Sequence, residues 1–190
     1  SFPTRRSSDL FKKGDILLSQ PFMMDGYFSH SAILLAELNE EGAVGFVINR
    51  PVEILVDEII PDFPDFNSIA YMGGPVSTDT LHYVHRVGEL LDESIEIISG
   101  IFWGGNFEQL KALIRQGIIT PDDIRFYIGY SGWSEGQLEG EWEMGSWLRA
   151  DFDMNFIFNS EPEALWKKIL SAKGENFTII ADMPSDDLLN

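Results

Sequence analysis

The stretch Gly42-Ala-Val-Gly-Phe-Val-Ile-Asn-Arg-Pro51 gives the clearest structural signal in this chain, together with the apolar run 31–37 before it. Both segments have the length and composition of β-strands, and the connector between them supplies a glycine for a positive-φ position. We therefore predict a β-hairpin. Pro51 ends its second strand, and because proline forces the preceding residue to be extended, Arg50 is held at a strand end.

A second glycine-rich stretch, Gly129-Tyr-Ser-Gly-Trp133, invites comparison with the nucleophile elbow of hydrolases, G-x-S-x-G. Here Ser131 is followed by Gly132 and then Trp133, so the pattern fails at its last position. We interpret the stretch as a tight turn between a strand and a helix, with Trp133 as a packing residue. Glycines in such places allow close backbone approach, so Gly45→Val and Gly132→Val are predicted to destabilise the fold.

The rest of the chain predicts short strands early and helices later, without a regular βαβ rhythm, which favours an α+β fold. Asn106 is expected to cap a helix, and Ser134 with Gln137 and Ser160 with Glu163 are expected to form capping boxes of two more. Further strands are predicted at 15–20, 69–72, 81–87, 101–103, 125–130 and 146–149, helices at 107–116, 134–144 and from 160 to Gly174, and a possible short helix at 52–60.

Length and composition limit the protein class. The chain of 190 residues has 44% hydrophobic residues, enough for one domain with a sizeable core. It lacks cysteine and any apolar run of the roughly 18 residues that a membrane helix needs. With 31 acidic and 13 basic residues its net charge is −18, which repels nucleic acid. We expect a cytoplasmic protein that binds neither membrane nor DNA directly.

The two ends read differently from the body of the chain. Residues 1–10 are polar, lack periodicity and resemble the translation of a sequencing adapter, so we treat them as a non-native or disordered tail. Residues 11–183 are predicted to form a single domain. Residues 184–190 are predicted to be an acidic C-terminal tail.

Few residues combine in a way that indicates metal binding or catalysis. His82 and His85 lie three apart on a predicted strand and so face opposite sides, which argues against a shared metal. Glu139 and Glu143 share one helix face, either as a solvated face or as a site for a cation, and the solvated face is favoured. Arg50 either clamps an anion or holds a neighbouring loop through an internal salt bridge, and the internal role is favoured.

Taken together, the stretches 42–51 and 129–133, with Gly73-Gly-Pro-Val76, Gly136-Gln-Leu-Glu139 and Trp147-Leu148, resemble the YqgE/AlgH family of bacterial proteins. The similarity runs from about residue 11 to residue 173. Thr80-Leu-His-Tyr-Val-His85 and Ile101-Phe-Trp-Gly-Gly105 are similar to the Bacteroidetes-type members. The resemblance implies an α+β domain with coiled or bifurcated, mainly antiparallel β-sheets and flanking helices. It implies no catalytic mechanism and carries a transcriptional-regulator label linked to exopolysaccharide production.

Our leading hypothesis is a non-enzymatic regulatory or protein-binding module with no cofactor and no metal, which acts on a cytosolic protein partner. Its candidate binding residues are Asn49, Arg50, Ser131, Trp133 and Gln137. The alternative is a small-molecule-binding protein or a hydrolase-like enzyme, in which Arg50 anchors an anion and Ser131 or His85 supplies the chemistry. The sequence leaves the oligomeric state and the identity of the partner open.

Overall fold

The computed structural model of the protein describes residues 6–174, 176–177 and 183. The predicted tail 184–190 and the first half of segment 1–10 lie outside the described residues. The strands are β1 Ile16–Ser19, β2 Ala32–Asn39, β3 Gly42–Val47, β4 Pro51–Leu55, β5 Ile69–Met72, β6 Val76–His85, β7 Ile95–Ile98, β8 Ile101–Trp103, β9 Ile124–Ser134 and β10 Trp147–Ala150. The helices are α1 Ser7–Leu10, α2 Val56–Ile59, α3 Phe107–Arg115, α4 Gln137–Glu143, α5 Asn155–Phe158 and α6 Pro162–Ser171.

The strands form one branched sheet in the order β10-β1-β2-β3-β9-β6-β8-β7, with β4 and β5 off this path. The branch point is β9. One edge of β9 pairs with β6, while the other edge pairs first with β5 and further along with β3. The β5–β9 pairing is parallel, and the other pairings of the described strands are antiparallel. The predicted α+β class with a bifurcated, mainly antiparallel sheet is therefore confirmed.

The predicted hairpin is present as β2 and β3, with Leu34 opposite Phe46. Side chains alternate between the two faces of the sheet, and both faces are covered. Leu34 and Phe46 join a core that includes Trp166 of α6, whereas Ile33 and Val47 join a second core beside α4. Burial on both faces explains why these strands read as continuous apolar runs rather than as alternating ones.

Several local predictions were wrong. The stretch 129–133 is the second half of β9 and not a turn, because β3 and β6 pair along its edges. Gln137 does accept the Ser134 backbone N–H at 3.0 Å, but α4 starts only at Gln137, with Gly136 at its N-cap. The Ser160–Glu163 capping box is absent, since the Ser160 hydroxyl donates to the Phe156 carbonyl and α6 starts at Pro162.

Two further elements differ from the sequence-based expectations. Of the possible short helix at 52–60, the first half is strand β4, because β4 pairs with β5, and the second half is the helical turn α2. Strand β7 was not predicted. The expected cap of α3 is confirmed, since the Asn106 side chain accepts the Gln109 backbone N–H at 2.9 Å.

Candidate functional site

Asn49 and Arg50 are both engaged inside the protein. The Asn49 side chain accepts the Ala32 N–H at 3.0 Å and donates to the His30 carbonyl at 2.9 Å. The Arg50 guanidinium donates to the carbonyls of Tyr27 and Ser29, and it lies 5.1 Å from the centre of the Tyr27 ring. Among the described residues Arg50 has no carboxylate partner. It holds the 20–31 loop, as its internal role predicted, but through carbonyl groups rather than a salt bridge.

Ser131 and Trp133 are buried in β9. The Ser131 hydroxyl donates at 3.1 Å to the Gly73 carbonyl, which also accepts the Val47 N–H at 2.9 Å. A Cβ atom on Gly74 would lie 2.0 Å from the Tyr130 carbonyl carbon, so only glycine fits there. Trp133 packs edge-on against Trp147 in the core beside α4. The three glycine-rich stretches of the sequence thus meet in one backbone junction.

The structure does not bring Ser131 and His85 together. His85 is opposite Ile124 in the β6–β9 register, and Ser131 lies seven residues further along β9. That separation is roughly 23 Å for an extended strand. His85 is fully buried, and its Nε2 is 2.7 Å from the Gly104 carbonyl. Burial lowers the pKa of His85, and the Gly104 carbonyl only partly opposes that shift.

A cavity of about 830 Å³ lies beside α4, the helix that starts at Gln137, although Gln137 itself does not line it. Its other walls are segment 11–13, the β2–β3 turn, and Arg6 and Ser8 at helix α1, which belong to the segment expected to be a tail. The lining residues are Arg6, Ser8, Phe11, Lys12, Lys13, Leu38, Asn39, Glu40, Glu135, Gly136, Glu139, Gly140 and Glu143. A volume of this size is in the range of ligand-binding pockets. We refer to it below as the α4 cavity.

Glu139 is the unexpected member of the α4 cavity. The sequence favoured a solvated face for Glu139 and Glu143, yet Glu139 is only 8% exposed. Its Oε2 atom is buried and has no hydrogen-bond partner. No group of three metal-ligating side chains occurs in the described part of the chain, so the carboxylates here do not converge as metal ligands.

Glu141, a partly buried residue of α4, has its carboxyl group near the indole rings of Trp133 and Trp147. Burial raises the pKa of Glu141, while the indole N–H groups of Trp147 and Trp133 act in the opposite direction and Asp25 raises it further. Glu141 Oε2 and Trp147 Nε1 are buried without a hydrogen-bond partner. This group contacts the packing core rather than the α4 cavity.

Comparison with known proteins identifies the family of this chain. The profile of the family described as DUF179, AlgH-like, matches residues 16–178. The chain belongs to the AlgH-like family. A UPF0301 protein of Chlorobium limicola is 42% identical over 182 residues, which cover 96% of this chain and 97% of the relative. A UPF0301 protein of Cytophaga hutchinsonii is 37% identical, over 95% of this chain and all of the relative.

Two solved structures share the fold. The solution structure of AlgH from Pseudomonas aeruginosa has a TM-score of 0.74 and 29% identity, and the match covers 95% of this chain and 98% of that one. A crystal structure from Corynebacterium diphtheriae also has a TM-score of 0.74, at 19% identity, and covers 96% and 100% of the two chains. In the AlgH-like domain described here, no helix among the described residues is long and apolar enough to cross a membrane.

Sequence reasoning missed the α4 cavity and the burial of Glu139. The sequence did contain one indication of the cavity. Gly136 and Gly140 are four residues apart, so one side of α4 lacks two side chains. A Cβ on either glycine would meet no atom within 4 Å, so both face open space. The opposite wall is formed by residues that precede α4 by more than ninety positions in the sequence. No pattern within a short stretch of sequence could therefore predict the cavity.

Proposed function

We propose that this AlgH-like domain is a non-enzymatic module of the cytoplasm that binds another protein at the α4 cavity. The observation that carries the proposal is the cavity of about 830 Å³ in which a buried carboxylate oxygen of Glu139 has no partner. A buried charged group without a partner is costly, and an interface that supplies one gains affinity by satisfying it.

The arrangement of the other polar candidates favours binding over catalysis. Arg50 is occupied by the carbonyls of the 20–31 loop, and Ser131 by the Gly73 carbonyl. His85 lies far along the sheet from Ser131 and is occupied by the Gly104 carbonyl. A nucleophile and its base have to be within hydrogen-bond reach of each other, and these residues do not provide such a pair.

The charge of the protein favours a protein partner over DNA. A DNA-binding surface has to neutralise phosphates, whereas this chain carries a net charge of −18. The same charge accelerates association with a basic partner and favours its orientation. A regulatory effect on transcription, as the label carried by the family resemblance suggests, would then act through a bound protein.

Affinity capture from the native lysate tests this proposal. The wild-type domain, Gly140→Leu and Arg50→Ala serve as baits at equal concentration, after melting curves have shown that each is folded. Gly140→Leu fills the α4 cavity, and we expect it to lose a stoichiometric protein that the wild type retains. Arg50→Ala loosens the opposite loop and is expected to keep that partner. An empty wild-type capture, or equal capture by Gly140→Leu, would refute the proposal.

A further inference from the structure

We infer that the α4 cavity takes the side chain of a lysine or arginine of the partner, with Glu139 as the residue that binds its cationic end. This inference rests on the proposed function and specifies the chemistry that the cavity recognises. Three features carry it: the unpartnered carboxylate, the apolar walls and the distribution of charge around the rim.

The carboxylate of Glu139 has the properties of a cation anchor. The side chain is 92% buried, given its exposure of 8%, and it lines the cavity. Its Oε2 atom accepts no hydrogen bond from the protein. An ammonium or guanidinium group that enters the cavity would donate a charge-assisted hydrogen bond to the Glu139 carboxylate, and such a bond is about twice as strong as a neutral one.

The walls of the cavity suit the alkyl part of such a side chain. Phe11 and Leu38 contribute apolar surface, and both belong to the core beside α4. Gly136 and Gly140 leave open space where other residues would place a Cβ. Lysine and arginine bury their methylene groups against apolar surface while the charged end reaches a polar group. A small inorganic cation would make no use of these walls.

The charges around the cavity favour a cation over an anion. Glu40, Glu135 and Glu143 are exposed and line the same cavity as Glu139. The ammonium of Lys13, on the opposite wall, donates to the Glu96 carbonyl at 3.0 Å, which directs it towards β7. Lys12 is exposed on that wall. The cavity is therefore lined by four carboxylates and three basic residues, Arg6, Lys12 and Lys13, and the ammonium of Lys13 is turned away from it.

The experiment uses defined peptides and the full chain. Blocked tripeptides Gly-X-Gly, with X lysine, arginine, norleucine or glutamate, are titrated into ¹⁵N-labelled protein and followed by amide chemical shifts. We expect saturable shifts at Gly136 and Gly140 with lysine and arginine, and none with norleucine or glutamate. Glu139→Gln should weaken binding at least tenfold. Glu89→Gln, a change of equal charge at an exposed residue outside the cavity, should leave binding unchanged.

Each result decides the inference. Equal shifts with lysine and norleucine, or equal weakening by Glu139→Gln and Glu89→Gln, would overturn it, because only a specific carboxylate–cation contact separates these pairs. Its failure is distinguishable from that of the proposed function. A captured partner that Gly140→Leu loses and Glu139→Gln keeps would retain the protein-binding role without the cation contact. Lysine-peptide binding with an empty lysate capture would support the cation site and reject the protein partner.

Discussion

Replacing Gly45 by alanine should destabilise the protein, and replacing Gly132 should not. A Cβ on Gly45 would lie 2.7 Å from Ile33 Cγ2 and 2.9 Å from the Leu34 carbonyl oxygen. The Leu34 oxygen belongs to the backbone of β2 in the middle of the sheet, so it cannot move away without disturbing the strand pairing. Overpacking of this kind costs about 1–3 kcal/mol. In a protein of this size that lowers Tm by roughly 3–10 °C.

Gly132 is the matched control, and the structure contradicts the reason for its predicted sensitivity to valine, which was a close backbone approach or a positive φ. Its φ is not positive, and the nearest atom to an added Cβ is Tyr130 Cε2 at an ordinary 3.4 Å. Gly132→Ala should therefore change the stability by no more than about 0.5 kcal/mol. Urea unfolding of both variants, with unchanged m-values, measures the difference. Equal destabilisation by the two substitutions would refute the steric argument.

Four further predictions concern a helix cap, two titratable groups and the arginine that holds the 20–31 loop. Asn106→Ala removes the acceptor of the Gln109 N–H and should cost about 1 kcal/mol in urea unfolding. Because burial raises the pKa of Glu141, the folded state binds more protons than the unfolded state above about pH 4.5, and stability falls as the pH rises through that window. Glu141→Gln should thus raise Tm at neutral pH but not at about pH 4. Burial lowers the pKa of His85, and also those of His30 and His82, so wild-type stability should fall as the pH drops below about 6.5. His85→Gln should reduce this dependence of Tm on pH, and the remaining slope is expected from the other two histidines. Arg50→Lys should speed amide exchange in the 20–31 loop selectively, because an ammonium cannot span the acceptors that the guanidinium reaches.

The fold could be predicted where an element is determined by residues that are close together in the sequence. The hairpin of β2 and β3 and the Asn106 cap of α3 depend on composition and turn chemistry that lie within a few residues. The predictions failed where pairing is decided at a distance. Gly129 has a φ of +65°, a conformation typical of turns. Strand β9 nevertheless continues through this residue, because β3 and β6 pair with β9 along its two edges.

The candidate site was predictable only in part. Gln137 was singled out for the right helix, but as a capping residue, and it does not line the cavity. Whether Glu139 is solvated or buried depends on segment 11–13 and the β2–β3 turn, which pack against α4 from remote parts of the sequence. Helix periodicity places Glu139 and Glu143 on one face, and no periodicity can say what covers that face.

The residues on which the family resemblance rests form hydrogen bonds with backbone groups of the protein itself. This observation bears on where a binding site can lie. Gly73 joins β3, β9 and the turn before β6 through its N–H and C=O groups, and Ser131 donates to the same carbonyl. Asn49 ties the same region to the start of β2. Side chains that satisfy internal groups in this way are not free to bind a ligand without breaking the junction that they hold. Of the described residues that have a buried side-chain atom without a hydrogen-bond partner, Glu139 is the one that lines the α4 cavity. The glycine-rich junction therefore specifies the architecture, and recognition is to be sought at the residues that line the cavity beside α4.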